Sequence, residues 1–200
     1  MSTVFIRQAD YTYPAIRSIV FEMLSSDEGP VIDIGTRVLI KPNFLSPAAP
    51  EKAITTHPLI IKAVAEFALE KGAQVQISDS PATGSFSTLL KKGGYTETLS
   101  DLDVTLKPFE ATTAVDVGDP FGTIDVAKDA MDADVVINLA KLKTHTQMML
   151  TLGVKNLFGC IVGLNKPEWH MRAGVDRHMF GHLIVSIYEA IKPAYTILDG

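Results

Sequence analysis

Short runs of β-branched residues alternate with stretches of helical periodicity along most of the chain. Thr3 to Arg7 reads as a short strand. Pro14 to Leu24 sets Ile16, Ile19, Val20, Met23 and Leu24 on one helical face, with Pro14 suited to a first turn. Arg37 to Ile40 is a short apolar strand that runs into Lys41-Pro42-Asn43, where the proline ends sheet pairing. Thr55-Thr56-His57-Pro58 opens the clearest helix, with a threonine cap at its start and Lys71-Gly72 at its close. Gln74 to Ile77 is the next strand and ends in Ser78-Asp79-Ser80-Pro81; Ser85 to Lys92 is helical, and Val104 to Phe109 is strand-like. Residues 114–126, with Gly118, Pro120 and Gly122, read as strand, turn, strand. Asp134 to Leu139 is a strong strand that passes into Ala140-Lys-Leu-Lys-Thr-His145. Leu150 to Val162 is a short helix or loop, Asn165 to Asp176 a loop, and Met179 to Ile191 a helix ended by Lys192-Pro193. A last strand, Ala194 to Leu198, follows.

This alternation predicts an α/β fold: a mainly parallel or mixed sheet with helices on both faces. The 200 residues suit one sizeable core, so residues 1–200 are expected to form a single α/β domain. Asp199-Gly200 follows a strand directly, where a chain ordinarily runs on into a loop; the expectation is the N-terminal part of a longer protein.

Composition narrows the function. A net charge of -5 argues against a general nucleic-acid binder. No apolar run approaches the roughly 20 residues of a membrane span. Cys160 is the one cysteine, so neither an intrachain disulfide nor a cysteine-ligated iron–sulfur cluster can be built within this chain. A cytoplasmic location is expected.

In open α/β sheets, ligands bind outside the carboxyl ends of the strands. Those ends here carry Lys41 and Asn43; Ser78, Asp79 and Ser80; Lys141, Lys143 and His145; and Asp199. Gathered ammonium groups repel one another, so such a cleft favours a small anion. Lys41, Lys141 and Lys143 are candidates to hold it, and Asn43, Ser80, Asn138 and Asn156 to orient it. The competing reading puts the lysines on a wet rim, paired with nearby acids. Ser78 to Ser85 joins a strand to a helix and can serve an anion or simply cap the helix. His57 likewise fits a cap or a site, whereas His178 and His182, four apart, fit surface or packing roles. Lys155 is a candidate anchor or nucleophile, and His145 and Asp79 are candidate acid–base groups. His145 and His170 are the candidate metal ligands, so a metal is possible; any other cofactor is left open.

Lys41-Pro-Asn43, Thr56-His-Pro58, Ser78-Asp-Ser-Pro81, Val136 to His145 and Thr151-Leu-Gly-Val-Lys-Asn-Leu-Phe-Gly159 together resemble the uncharacterised "domain of unknown function 362" family across nearly the whole chain. Members often carry ferredoxin-type clusters in an added cysteine-rich segment. The resemblance therefore implies, as an alternative, a redox accessory module that works with an iron–sulfur segment or redox partner absent from this chain. The spacing of His145, Lys155 and His170 is also similar to a local pattern in nickel-pincer lactate racemases, in which the lysine holds the cofactor covalently. That second resemblance implies a metal-dependent enzyme as a further alternative.

Overall fold

The computed structural model describes residues 3–145, 148–163, 165–173 and 176–200. In chain order the elements are α1 (Tyr13–Leu24), β1 (Arg37–Pro42), α2 (Pro58–Glu70), β2 (Gln74–Ile77), α3 (Phe86–Lys92), α4 (Tyr95–Thr98), β3 (Val104–Leu106), β4 (Thr112–Asp116), β5 (Thr123–Ala127) and α5 (Lys128–Asp132). Then come β6 (Val135–Lys141), β7 (Lys143–His145), β8 (Met149–Thr151), α6 (Gly153–Asn156), α7 (Asn165–Ala173), α8 (Arg177–Ile191) and β9 (Tyr195–Asp199).

Five strands form one parallel sheet in the order β3-β2-β1-β6-β9. From β1 the chain steps outward through β2 to β3, then returns to the other side of β1 as β6 and β9. The order reverses between β1 and β6, and a doubly wound sheet opens its ligand crevice at such a switch point. Both faces are covered, as the central strands require: all seven residues of β6 are buried. Val38, Ile40, Ile137 and Leu139 face one core with α1, α2, α3 and α4. Leu39 and Val136, of opposite parity, face a second core with α8, α5 and the β4–β5 hairpin.

The fold is therefore α/β with helices on both faces, and the sheet is parallel throughout. Several local expectations change. Residues 3–7 are not a strand: Val4 and Ile6 are exposed, and side-chain bonds from Thr3 to Glu28 and Arg7 to Glu22 tether the segment. The threonine cap of α2 is replaced by His57, whose ring accepts from Leu59 N–H at 3.3 Å. Thr56 instead ties the sheet ends together, accepting from Asn43 N–H and donating to the Leu139 carbonyl. The strand from Val104 stops at Leu106. Residues 165–173, expected as loop, form α7, which buries only Trp169 and Ala173.

Candidate functional site

A cavity of about 430 Å³ lies at the carboxyl ends of β1, β2 and β6, on the face carrying α6 and α7. Four lysines line it: Lys41, Lys143, Lys155 and Lys166, with Asp79, His145, Thr151 and His170. Phe44, Leu45, Ile54 and Phe158 supply apolar wall.

The floor is a frame of buried, mutually bonded groups. Lys41 is completely buried, lies 2.8 Å from Asp79 Oδ1 and donates to the Pro42 carbonyl. The Asp79 carboxylate also accepts from Phe44 N–H and Ser80 N–H, each at 2.8 Å. Gly159 packs directly over this pair; a Cβ there would fall 2.4 Å from both Lys41 Nζ and Asp79 Oδ1. A chain of amides crosses the strand ends beside it. Lys143 Nζ donates to Asn43 Oδ1 at 2.5 Å, and Asn43 Nδ2 donates to Asn156 Oδ1 at 2.9 Å. Asn156 Nδ2 donates to Asn138 Oδ1 at 2.7 Å, and Asn138 Nδ2 donates to the Gly153 carbonyl at 2.9 Å. Each asparagine thus uses both ends of its amide, and the chain fastens α6 to β1 and β6. Gly153 allows that approach, since a Cβ would sit 2.8 Å from Thr196 Cγ2.

The wall lysines lack a paired carboxylate among the described residues. Burial and the neighbouring ammoniums of Lys166, Lys41 and Lys143 push Lys155 down to about 8. Its ammonium stands 4.5 Å from the Phe158 ring centre and 5.6 Å from that of Phe180, and it makes no hydrogen bond or ion pair among the described residues. Burial likewise lowers Lys143 to about 8, against the pull of Asp79, and Lys166 to about 8. Lys166 donates to the Ser80 carbonyl. Burial and the lysines lower both His145 and His170, which favours neutral imidazoles. His145 Nδ1 accepts from Met148 N–H at 3.2 Å, and the His170 ring packs between Phe158 and Phe180.

The structure brings together Lys41, Asn43, Asp79, Ser80, Lys143, His145, Lys155, Asn156 and His170. It does not bring Lys141 to them. Lys141 shares a strand face with Ile137 and Leu139, and bonds Asp199 Oδ1 at 2.9 Å and Tyr11 Oη at 3.0 Å. Asn138 does not line the cavity, but its Oδ1 accepts from Asn156, which does. The lining residues absent from the expected set include Thr151 and Lys166. The spacing of Lys166 and His170, four apart, is a helical-face signal hidden by the polar, proline-containing segment around it. His178 caps no site: its backbone N–H bonds the Asp176 side chain, while His182 packs edge-on against Phe121.

For a metal, the cavity offers His145 and His170. Among the described residues no group of three or more His, Cys, Asp or Glu side chains is gathered, so these side chains alone fall short of a three- or four-ligand site. Cys160 is fully buried, and burial pushes its thiol up to about 12, which marks a packing residue. A second depression, of about 510 Å³, lies at the amino ends of β1, β2 and β3. Its charges form exposed pairs, such as Arg37–Asp134 at 2.7 Å and Lys107–Asp129 at 2.8 Å.

Sheet order and site together define a doubly wound α/β protein with a lysine-rich cavity at the topological switch point. The chain belongs to the family described as "Domain of unknown function (DUF362)", which it matches over residues 38–200. It is 43% identical over 172 residues to the thylakoid-associated protein sll1697 of Synechocystis, covering 86% of this chain and 54% of that protein. A crystal structure of a Thermotoga maritima protein has the same fold, with TM-score 0.60 at 15% identity over 97% of this chain and 52% of the other. The lactate racemase apoprotein of Thermoanaerobacterium thermosaccharolyticum is also similar in fold, with TM-score 0.55 at 12% identity over 92% of this chain and 48% of the other. The chain thus spans about half the length of these relatives. Among the described residues no helix is long and apolar enough to cross a membrane.

Proposed function

We propose that the cavity binds a small anionic molecule, and that Lys155 and His145 act on it. One observation carries this reading. Lys143, Lys155 and Lys166 converge on a cavity whose only described lining carboxylate, Asp79, is already bonded to Lys41 and two backbone N–H groups. Partly buried cations that lack a counter-charge favour an anion that supplies it. Lys41 and Asp79 serve as the frame beneath it, and Asn43 and Asn156 hold Lys143 and α6 in place.

The same environment suits chemistry. A lysine titrating at about 8 is deprotonated in about a tenth of molecules at pH 7, enough for a base or nucleophile. Neutral His145 can accept or relay a proton. A cytoplasmic setting agrees with a single, buried thiol.

The test is calorimetric titration with citrate and inorganic phosphate at constant ionic strength. Saturable binding that is weakened at least tenfold in Lys155→Ala and Lys166→Ala, and retained in Lys141→Ala, is expected. Wild-type affinity in the first two variants would reject the reading.

A further inference from the structure

Thr151 carries the next step. It is only 3 % exposed and lines the cavity, yet its hydroxyl has no hydrogen-bond partner among the described residues. A buried hydroxyl that gives up water without gaining a partner is disfavoured, and native structures leave few. Among the described residues the other buried side-chain atom in that state, Tyr13 Oη, belongs to α1 and does not line the cavity. Thr151 faces Lys143 in the β7–β8 ladder and precedes Lys155 by four residues.

The neighbouring donors are only partly used. An ammonium has three N–H groups. Lys143 commits two, to Asn43 Oδ1 and the Ile54 carbonyl; Lys166 commits one, to the Ser80 carbonyl; Lys155 commits none among the described residues. With these three ammoniums protonated and Asp79 spoken for by Lys41, a monoanion leaves most of the positive charge unbalanced. A hydroxyl set among cations acts as a donor, so its partner is an acceptor oxygen.

We propose, resting on the reading of the cavity as an anion site, that Thr151 is a ligand-binding residue and that the ligand is an oxyanion carrying at least two negative charges, one of whose oxygens accepts the Thr151 hydrogen bond. Thr151 and Lys155 together hold that oxyanion group, and Lys143 and Lys166 balance the rest of the charge.

The experiment is titration calorimetry at pH 7 and fixed ionic strength, with malonate and sulfate as dianions and acetate and chloride as monoanions. The variants are Thr151→Val, Thr151→Ser and Lys155→Ala. Expected are dianions bound at least tenfold more tightly than monoanions, a tenfold loss in Thr151→Val, recovery in Thr151→Ser, and a folding midpoint of anion-free Thr151→Val equal to or above wild type. Wild-type dianion affinity in Thr151→Val, with Lys155→Ala still impaired, overturns the Thr151 assignment and leaves the anion site standing. Destabilised anion-free Thr151→Val also overturns it, because the hydroxyl then serves the fold. Acetate bound as tightly as malonate overturns the charge class. Absence of saturable binding in the wild type overturns this inference and the anion site together.

Discussion

Replacing Lys155 with methionine should stabilise the anion-free protein near neutral pH, and by an amount that fades as pH rises. Lys155 titrates at about 8 in the folded state against 10.5 unperturbed. That drop corresponds to ~3 kcal/mol of destabilisation carried by the charged form. The folded-state value lies below the unfolded one, so the unfolded chain holds the proton more strongly between pH 8 and 10.5. Stability from this group is therefore lowest below pH 8 and recovers as pH climbs towards 10.5. Methionine keeps the aliphatic stem against Phe158 and Phe180 but forfeits a cation–π attraction of roughly 0.5–2 kcal/mol. The net expected gain at pH 7 is roughly 1–2 kcal/mol. For a chain of this size that is a midpoint rise of roughly 2–8 °C. Urea denaturation of wild type and Lys155→Met at pH 7 and pH 10 measures it. The difference between the two proteins cancels every other titration, so it should lose most of its pH 7 value across that range. A difference that is equal at both pH values, or a variant less stable at pH 7, would refute the burial argument.

Three further outcomes follow from the frame. Gly159→Ala forces apart the buried Lys41–Asp79 pair, at a cost of about 3–5 kcal/mol, and should lower the thermal midpoint by roughly 6 °C or more in circular dichroism; an unchanged midpoint means the turn can move. Asn156→Leu leaves the Asn43 amide and the Asn138 oxygen without partners and should cost about 1–3 kcal/mol each, read from the urea midpoint. Tyr11→Phe removes the hydroxyl bonded to Asp199 and Lys141, and should cost about 1 kcal/mol with no change in malonate affinity. Weaker malonate binding there would show that the two sheet faces are coupled.

Much of this architecture is readable from the chain because strand ends obey a direction rule. The β-branched runs at Arg37, Gln74 and Asp134 are parallel neighbours, so Lys41, Asp79 and the start of β7 emerge at one end of the sheet. The rule gives an end, though, and leaves the face open. Lys141 and Lys143 are two residues apart and would share a face if the strand ran on. Instead β6 stops at Lys141, Leu142 N–H makes the next bond to the Asp199 carbonyl, and Lys143 begins a separate pairing with β8. That break leaves Lys141 with Asp199 on one side and delivers Lys143 to the cavity on the other. α7 escapes periodicity because its polar sequence offers little beyond Trp169 and Ala173 to bury. Thr3 to Arg7 has strand composition, but it pairs with neither edge strand. Composition cannot supply the neighbour a strand needs. The idle Thr151 hydroxyl is invisible in sequence, since it is defined by what fails to approach it.

Lys141 also serves as an internal comparison. It is a buried lysine at a strand end, as Lys155 is a half-buried lysine in α6, and its charge is met by Asp199 at 2.9 Å and the Tyr11 hydroxyl at 3.0 Å. Those bonds outweigh the burial that would lower it, so Lys141 titrates above its ordinary value. This is how the fold treats a lysine kept for structure. Among the described residues Lys155 and Lys166 form no ion pair with a carboxylate, and both are pushed down to about 8. The amide chain beneath them uses both ends of every asparagine, and Lys41 is paired with Asp79, which fixes the positions of the amines without giving them a counter-charge. Cations held over a bonded frame without a counter-charge are costly to folding unless an anion completes them, and that asymmetry is the physical ground for proposing an anion in the cavity.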